Sequence, residues 1–239
     1  MAELEHSCLL NMAALGIQLA EYSDARRFAQ EAVNLDPEFG RGWHILGMAN
    51  RHLGHHEAAV KELRTAVLLC PNEASFQARL DDAIKAQKLE AQKAQERLAN
   101  QKCDAAAEAW QSGKNAEAIK LWQSALVEYG ELRQPLAEAG VHRRLGEVYR
   151  HLVGQAATEG DQKRQAQKSL QHAEAASSAL RRADSREVTA GQEAFLTLDV
   201  ARSLFLAGQN AKARRKLDEA SGLARGSLGI PRDTWPYSL

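Results

Sequence analysis

The chain has 239 residues, enough for one elongated domain or two small ones. Lys+Arg and Asp+Glu stand at 31 each, a zero balance that argues against a general nucleic-acid binder and against binding to an anionic membrane surface. Five prolines and 16 glycines interrupt a sequence dominated by Ala, Leu, Gln, Glu, Lys and Arg, the strong helix formers, so an all-α fold is expected.

The opening residues Met-Ala-Glu-Leu-Glu-His carry no basic stretch and no cleavable apolar core. The apolar run from Leu9 to Ala20 is broken by Asn11 and Gln18 and is too short to span a bilayer. Cys8, Cys70 and Cys103 are widely spaced and odd in number, which suits a reducing compartment better than a disulfide framework. The expectation is a soluble, cytoplasmic protein, with an organelle or a cilium left open.

Residues 6–39 and 40–72 are in register with each other. Pro37 and Pro71 lie 34 residues apart, as do Ala25 and Ala59, and Ala32 and Ala66. A small–large–small triplet recurs along the chain as Ala59/Leu63/Ala66, Ala118/Trp122/Ala125, Ala166/Leu170/Ala173 and Ala213/Leu217/Ala220. Ala25/Ala29/Ala32 is its degenerate first copy. Gly54, Gly113 and Gly208 each precede a triplet by five residues, where glycine can end one helix and turn the chain into the next. Upstream, Trp43/Leu46/Gly47 and His142/Leu145/Gly146 with Tyr149 set a ridge beside a notch that lets a paired helix approach.

Trp43, Leu46, Gly47, Ala59, Ala66 and Pro71 resemble the tetratricopeptide repeat, with Asn50 where the pattern has Tyr. In the first copy, Met12, Ala13 and Gly16 take the places of Leu, Gly and Tyr, while Ala25, Ala32 and Pro37 match. The resemblance is strong over 6–72 and moderate over 100–225. It implies an α-solenoid of about five helical hairpins, a right-handed stack in two lobes joined by a long helix. Trp43 is then a core residue.

Residues 73–111 lack both Gly and Pro and read as one helix of about 38 residues, roughly 57 Å long. Asn72 is its expected N-cap, with Glu73 in the first turn. Phe76, Leu80 and Ile84 form a stripe that caps the second repeat. The middle, "KAQKLEAQKAQER", is polar on nearly every face, as in a helix that bridges two bodies through solvent. A coiled coil through Ile84, Ala91 and Leu98 is the alternative. Beyond it, Cys103–Trp110 turns at Gly113 into 116–129. Helices are expected near 135–152 and 162–183, separated by a polar surface loop "GQAATEGDQ", and then at 187–207 and 210–224. The segment 226–239 is expected to be an extended tail, with Trp235 and Tyr237 as candidate docking aromatics.

Chemistry is sparse. His52, His55 and His56 have spacings that could chelate a metal on a helix, but Gly54 breaks the helix between them and no Cys or carboxylate completes the set. No phosphate loop, G-x-S-x-G elbow or H-E-x-x-H is present. No metal, cofactor or catalytic residue is therefore assigned, and the chain is expected not to be an enzyme.

A binding surface is easier to place. In stacked hairpins the first helices line the concave side. The inner stripe would hold Asn11, Ala14 and Gln18, then Arg41, His44, Ile45, Met48, Arg51 and His52, then Ser75, Arg79 and Asp82. This groove is net positive and suits an acidic or mixed peptide. Some members of the family grip a chaperone's C-terminal carboxylate. Asn11 and Arg41 could fill two of those places, whereas Leu10, Ala14 and Ile45 stand where further clamp residues are expected. The function expected is a non-catalytic adaptor or scaffold subunit that binds partner proteins, the two lobes holding two partners apart. An RNA-binding helical repeat is the alternative, and a co-chaperone a weaker one.

Overall fold

The computed structural model describes residues 2–228, which form ten helices and no strand. In order these are α1 (Ala2–Gln18), α2 (Tyr22–Leu35), α3 (Gly40–His52), α4 (His56–Leu69), α5 (Ala74–Gln111), α6 (Asn115–Leu132), α7 (Pro135–Gln155), α8 (Glu159–Arg182), α9 (Ala190–Leu206) and α10 (Asn210–Leu228). Consecutive helices pair into five hairpins, the third made by the end of α5 with α6. The fold is an all-α repeat array, as the residue spacing implies. Two compact units divide inside α5, one up to Lys93 and the other from Ala94.

In the first unit the recurrent small residues sit where helices touch. Ala25, Ala29, Ala32, Ala59 and Ala66 are fully buried, as is Leu63. Gly47 lies against Leu63: a Cβ there would come 2.7 Å from Leu63 Cγ. Leu63, Val60, Leu80 and Ala83 then form one cluster, which seats the start of α5 on α4. Leu10, Ala13, Ala29, Ala32, Val33, Ile45 and Leu46 form the other core of this unit. Trp43 is only partly buried. It flanks this core while its indole N–H donates to the Pro37 carbonyl at 2.7 Å. Asn50, standing in the place of the Tyr, is buried and donates to both carboxylate oxygens of Glu62 at 2.8 and 2.9 Å, tying α3 to α4.

The turns follow the glycines. Gly54, Gly113 and Gly208 have φ of +80°, +76° and +76°, the left-handed backbone that ends a helix without a Cβ penalty. Ala20, 34 residues before Gly54, holds the same conformation with φ of 60°. Asn72 does not cap α5. The helix begins at Ala74, and the amide of Phe76 bonds back to the Glu73 carbonyl at 2.9 Å.

In the second unit Ala99, Ala106 and Ala109 of α5 pack on Ala118, Trp122, Ala125 and Tyr129 of α6 and on Val141, Leu145 and Val148 of α7. Pro135 opens α7, where its missing N–H costs nothing. The loop expected over 154–162 is shorter than its polarity suggested. Helix α7 runs to Gln155, and α8 starts at Glu159, with the Thr158 hydroxyl accepting from the Asp161 amide. Thr189 and Gln192 form a reciprocal capping box at the start of α9. One expected packing residue is not used: Leu217 is 51% exposed although Ala213 and Ala220 beside it are buried. Helix α10 also continues through Gly226 to Leu228.

Candidate functional site

The first-helix face of the first unit gathers most of the residues singled out from the sequence. Arg41, His44, Met48, Arg51 and His52 project from α3, and Arg79 from the first turns of α5. His44 is half-buried, its ring stacked on Phe76 of α5 at 4.2 Å between centroids. Burial pushes its pKa down to about 4, and the positive charges of Arg79 and Arg41 lower it further. The imidazole is thus neutral at physiological pH, and its Nε2 is shielded from solvent with no hydrogen-bond partner among the described residues.

His52 stacks on Tyr22 of α2 at 4.3 Å, almost parallel. Its pKa is also lowered, first by burial and then by Arg51 and Arg79. The field of Arg79 therefore acts on both imidazoles, and Arg41 and Arg51 act on one each. Three guanidinium groups and two neutral histidines share one face. Met48 is half-buried among them, Arg51 is partly covered, and Arg41 and Arg79 are exposed.

Asn11 and Gln18 are exposed on α1. Among the described residues no hydrogen bond or ring contact links them to the arginines. Ile45 does not belong to this surface. It is buried in the core with Leu46, because the α3 face that meets α1 and α2 includes it. Tyr22 was not foreseen from the sequence: a tyrosine at a helix start gives no signal until α2 and the end of α3 are brought side by side. Trp235 and Tyr237 lie outside the described residues.

Of the other histidines of the turn, His56 keeps its Nδ1 buried with no hydrogen-bond partner among the described residues, and His55 has partners of its own. His55 Nδ1 lies 3.1 Å from Asn50 Oδ1 and 3.4 Å from Arg26 Nη1. Among the described residues no group of three or more His, Cys, Asp or Glu could hold a metal ion. No helix among them is long and apolar enough to cross a membrane. The polar middle of α5 leaves Leu89 and Leu98 exposed.

Repeated helical hairpins with small residues at each close approach define a helical-repeat protein. Residues 40–73 match the family model of the tetratricopeptide repeat, so the chain contains a tetratricopeptide repeat at α3–α4. No curated protein matches the chain by sequence. Among solved structures it is similar to BtubC (BKLC) from P. vanneervenii, with 16% identity, a TM-score of 0.47, and coverage of 95% of this chain and 83% of that one. It is also similar to MamA, with 14% identity, a TM-score of 0.37, and coverage of 99% and 100%. A chain of the APC/C hetero-tetramer Cut9–Hcn1 shares 17% identity with a TM-score of 0.39, over 93% of this chain and 34% of that one. Likenesses at this level bear on neither partner nor assembly.

Proposed function

We propose that the chain is a non-catalytic adaptor or scaffold subunit that holds a segment of a partner protein on the first-helix face of its first unit. Tetratricopeptide repeats generally bind other proteins, which supports the coarse reading. The observation that carries the finer one is the grouping of Arg41, Arg51 and Arg79 around two neutral imidazoles. Such a face favours carboxylates, which arginine can grip with two parallel hydrogen bonds. Met48 and the exposed edges of the stacked rings add apolar contact. The favoured partner is an acidic or mixed peptide segment, with Asn11 and Gln18 extending its track along α1.

The test compares partners captured by the wild-type chain with those captured by an Arg41→Ala/Arg51→Ala double variant, read by quantitative mass spectrometry. Selective loss of partners with acidic segments supports the site. An unchanged partner set refutes it. Because nothing in the repeat spacing reads bases, labelled RNA should show no salt-sensitive shift with this chain.

A further inference from the structure

Helix α5 shows how this array covers the open side of a hairpin. Phe76 stacks on His44, and Leu80 and Ala83 join Val60 and Leu63, so α5 fills the groove between α3 and α4. The same groove recurs between α9 and α10, displaced by 154 residues along the chain: Gly208 answers to Gly54, Ala213 to Ala59, Leu217 to Leu63 and Leu198 to His44. There nothing among the described residues fills it. It is an open groove of about 690 Å³ with Leu198, Phe205, Leu206 and Leu217 along it and Arg202 and Arg214 at its rim. Phe205 is 65% exposed.

The complementary surface is on α1. The α5 residues that fill their groove, Phe76, Leu80 and Ala83, answer at a displacement of 68 residues to Cys8, Met12 and Leu15. With Leu4 these lie on one stripe of α1, which Leu19 continues one residue past the helix, and all five are exposed, Met12 at 46% and Leu15 at 52%. At 100° per residue the stripe is about 80° wide. Glu5 of α1 is acidic, whereas the charged residues along the groove are Arg150, Arg202 and Arg214. The first two pair with Asp199, and Arg214 is in no ion pair with a described residue. Each face thus lacks what the other supplies, in register and in sign.

We infer that α1 of one chain docks in the α9–α10 groove of a second copy, continuing the helical stack from molecule to molecule. The contact is heterologous: two different patches meet, so assembly extends beyond a dimer unless a ring closes. The register places Cys8 of one copy against Leu198 of the next, as Phe76 lies on His44.

The full chain is tested by mass photometry and sedimentation velocity over a wide concentration range. The wild type should give a ladder of oligomers that grows with concentration. Met12→Asp/Leu15→Asp and Phe205→Asp/Leu217→Asp should each be monomeric, with helicity and melting retained because all four sites are exposed. An equimolar mixture of the two double variants should form a dimer and stop there, since each keeps one intact face. Independently, Leu198→Cys should cross-link between copies to the native Cys8 under oxidised glutathione, whereas Ser178→Cys should not. A wild type that stays monomeric throughout overturns the inference, as does a ladder that persists in either double variant. Absence of the Cys8 cross-link to position 198 also overturns it. A ladder that appears only after deletion of residues 229–239 assigns the groove to the chain's own tail instead, and equally overturns it.

Discussion

The Arg150 guanidinium of α7 lies 3.0 Å from Asp199 Oδ1 of α9, with the Asp199 side chain only 3% exposed. Around the pair, Arg150 also approaches the Ser203 hydroxyl at 3.4 Å, and Ser203 lies 2.9 Å from the Ser169 hydroxyl of α8, which donates to the Gly146 carbonyl. Three helices of the second unit are joined through this polar network. Burial raises the Asp199 pKa, while Arg150 opposes the rise.

Asp199→Ala should destabilise the chain by about 3 kcal/mol, because it leaves a largely buried guanidinium without its counter-charge. Asp199→Asn should cost less, since a neutral amide can still accept from Arg150. A carboxyl whose folded pKa is raised gives its full stabilisation below the ordinary Asp range and loses it as pH rises through the elevated value. Chemical denaturation of wild type and Asp199→Asn from pH 4 to 7 should show that component vanish in the variant.

The notch at Gly47 and that at Gly146 should respond differently to added bulk. A Cβ at Gly47 would press on the buried Leu63, whereas at Gly146 the nearest atom is 3.6 Å away, an ordinary contact. Gly47→Val should cost about 2 kcal/mol through overpacking. Gly146→Ala should be neutral or stabilising by up to about 1 kcal/mol, from helix propensity. Thermal melting of the two variants measures the contrast.

Ala20 bears a strain that its counterpart Gly54 escapes. Both end a first helix in left-handed backbone, but only Ala20 carries a Cβ there. Ala20→Gly should therefore stabilise the first unit by about 1 kcal/mol, and Gly54→Ala should destabilise it by a similar amount. Denaturation midpoints of the two single variants should shift in opposite directions.

His44 and His172 are both held near pKa 4, below the imidazole range, chiefly by burial. A depressed histidine stabilises the fold fully above its unfolded pKa, about 6.5, and that stability is lost as pH falls towards 4. The melting temperature should fall across this interval. His44→Phe keeps a ring against Phe76 without the titrating group, so its melting curve should depend less steeply on pH.

The sequence made the helices legible because their signals are local. The register of Pro37 with Pro71 and of Ala25 with Ala59 marked the hairpins, and the absence of Gly and Pro over 73–111 marked α5 to within a residue. Helical spacing places Arg41, His44 and Arg51 together on α3, whereas Arg79 comes to them only because Phe76 seats α5 against His44. Ile45 was misplaced there because one residue step, 100° of rotation, separates that face from the core. Tyr22 beside His52 and Arg150 beside Asp199 were hidden: the first pair is 30 residues apart and the second 49, and neither spacing is the 34-residue period of the repeat.

What the sequence by itself determined is the repeating unit: alanine and glycine recur wherever two backbones must come close, so the helix pairs are written into the local pattern. What only the tertiary structure decided is which faces those pairs leave uncovered. Leu63 and Leu217 occupy equivalent positions, yet one is sealed by α5 and the other faces solvent. Burial belongs to the neighbour as much as to the residue, and a neighbour's arrival is not encoded in the spacing around the side chain it covers.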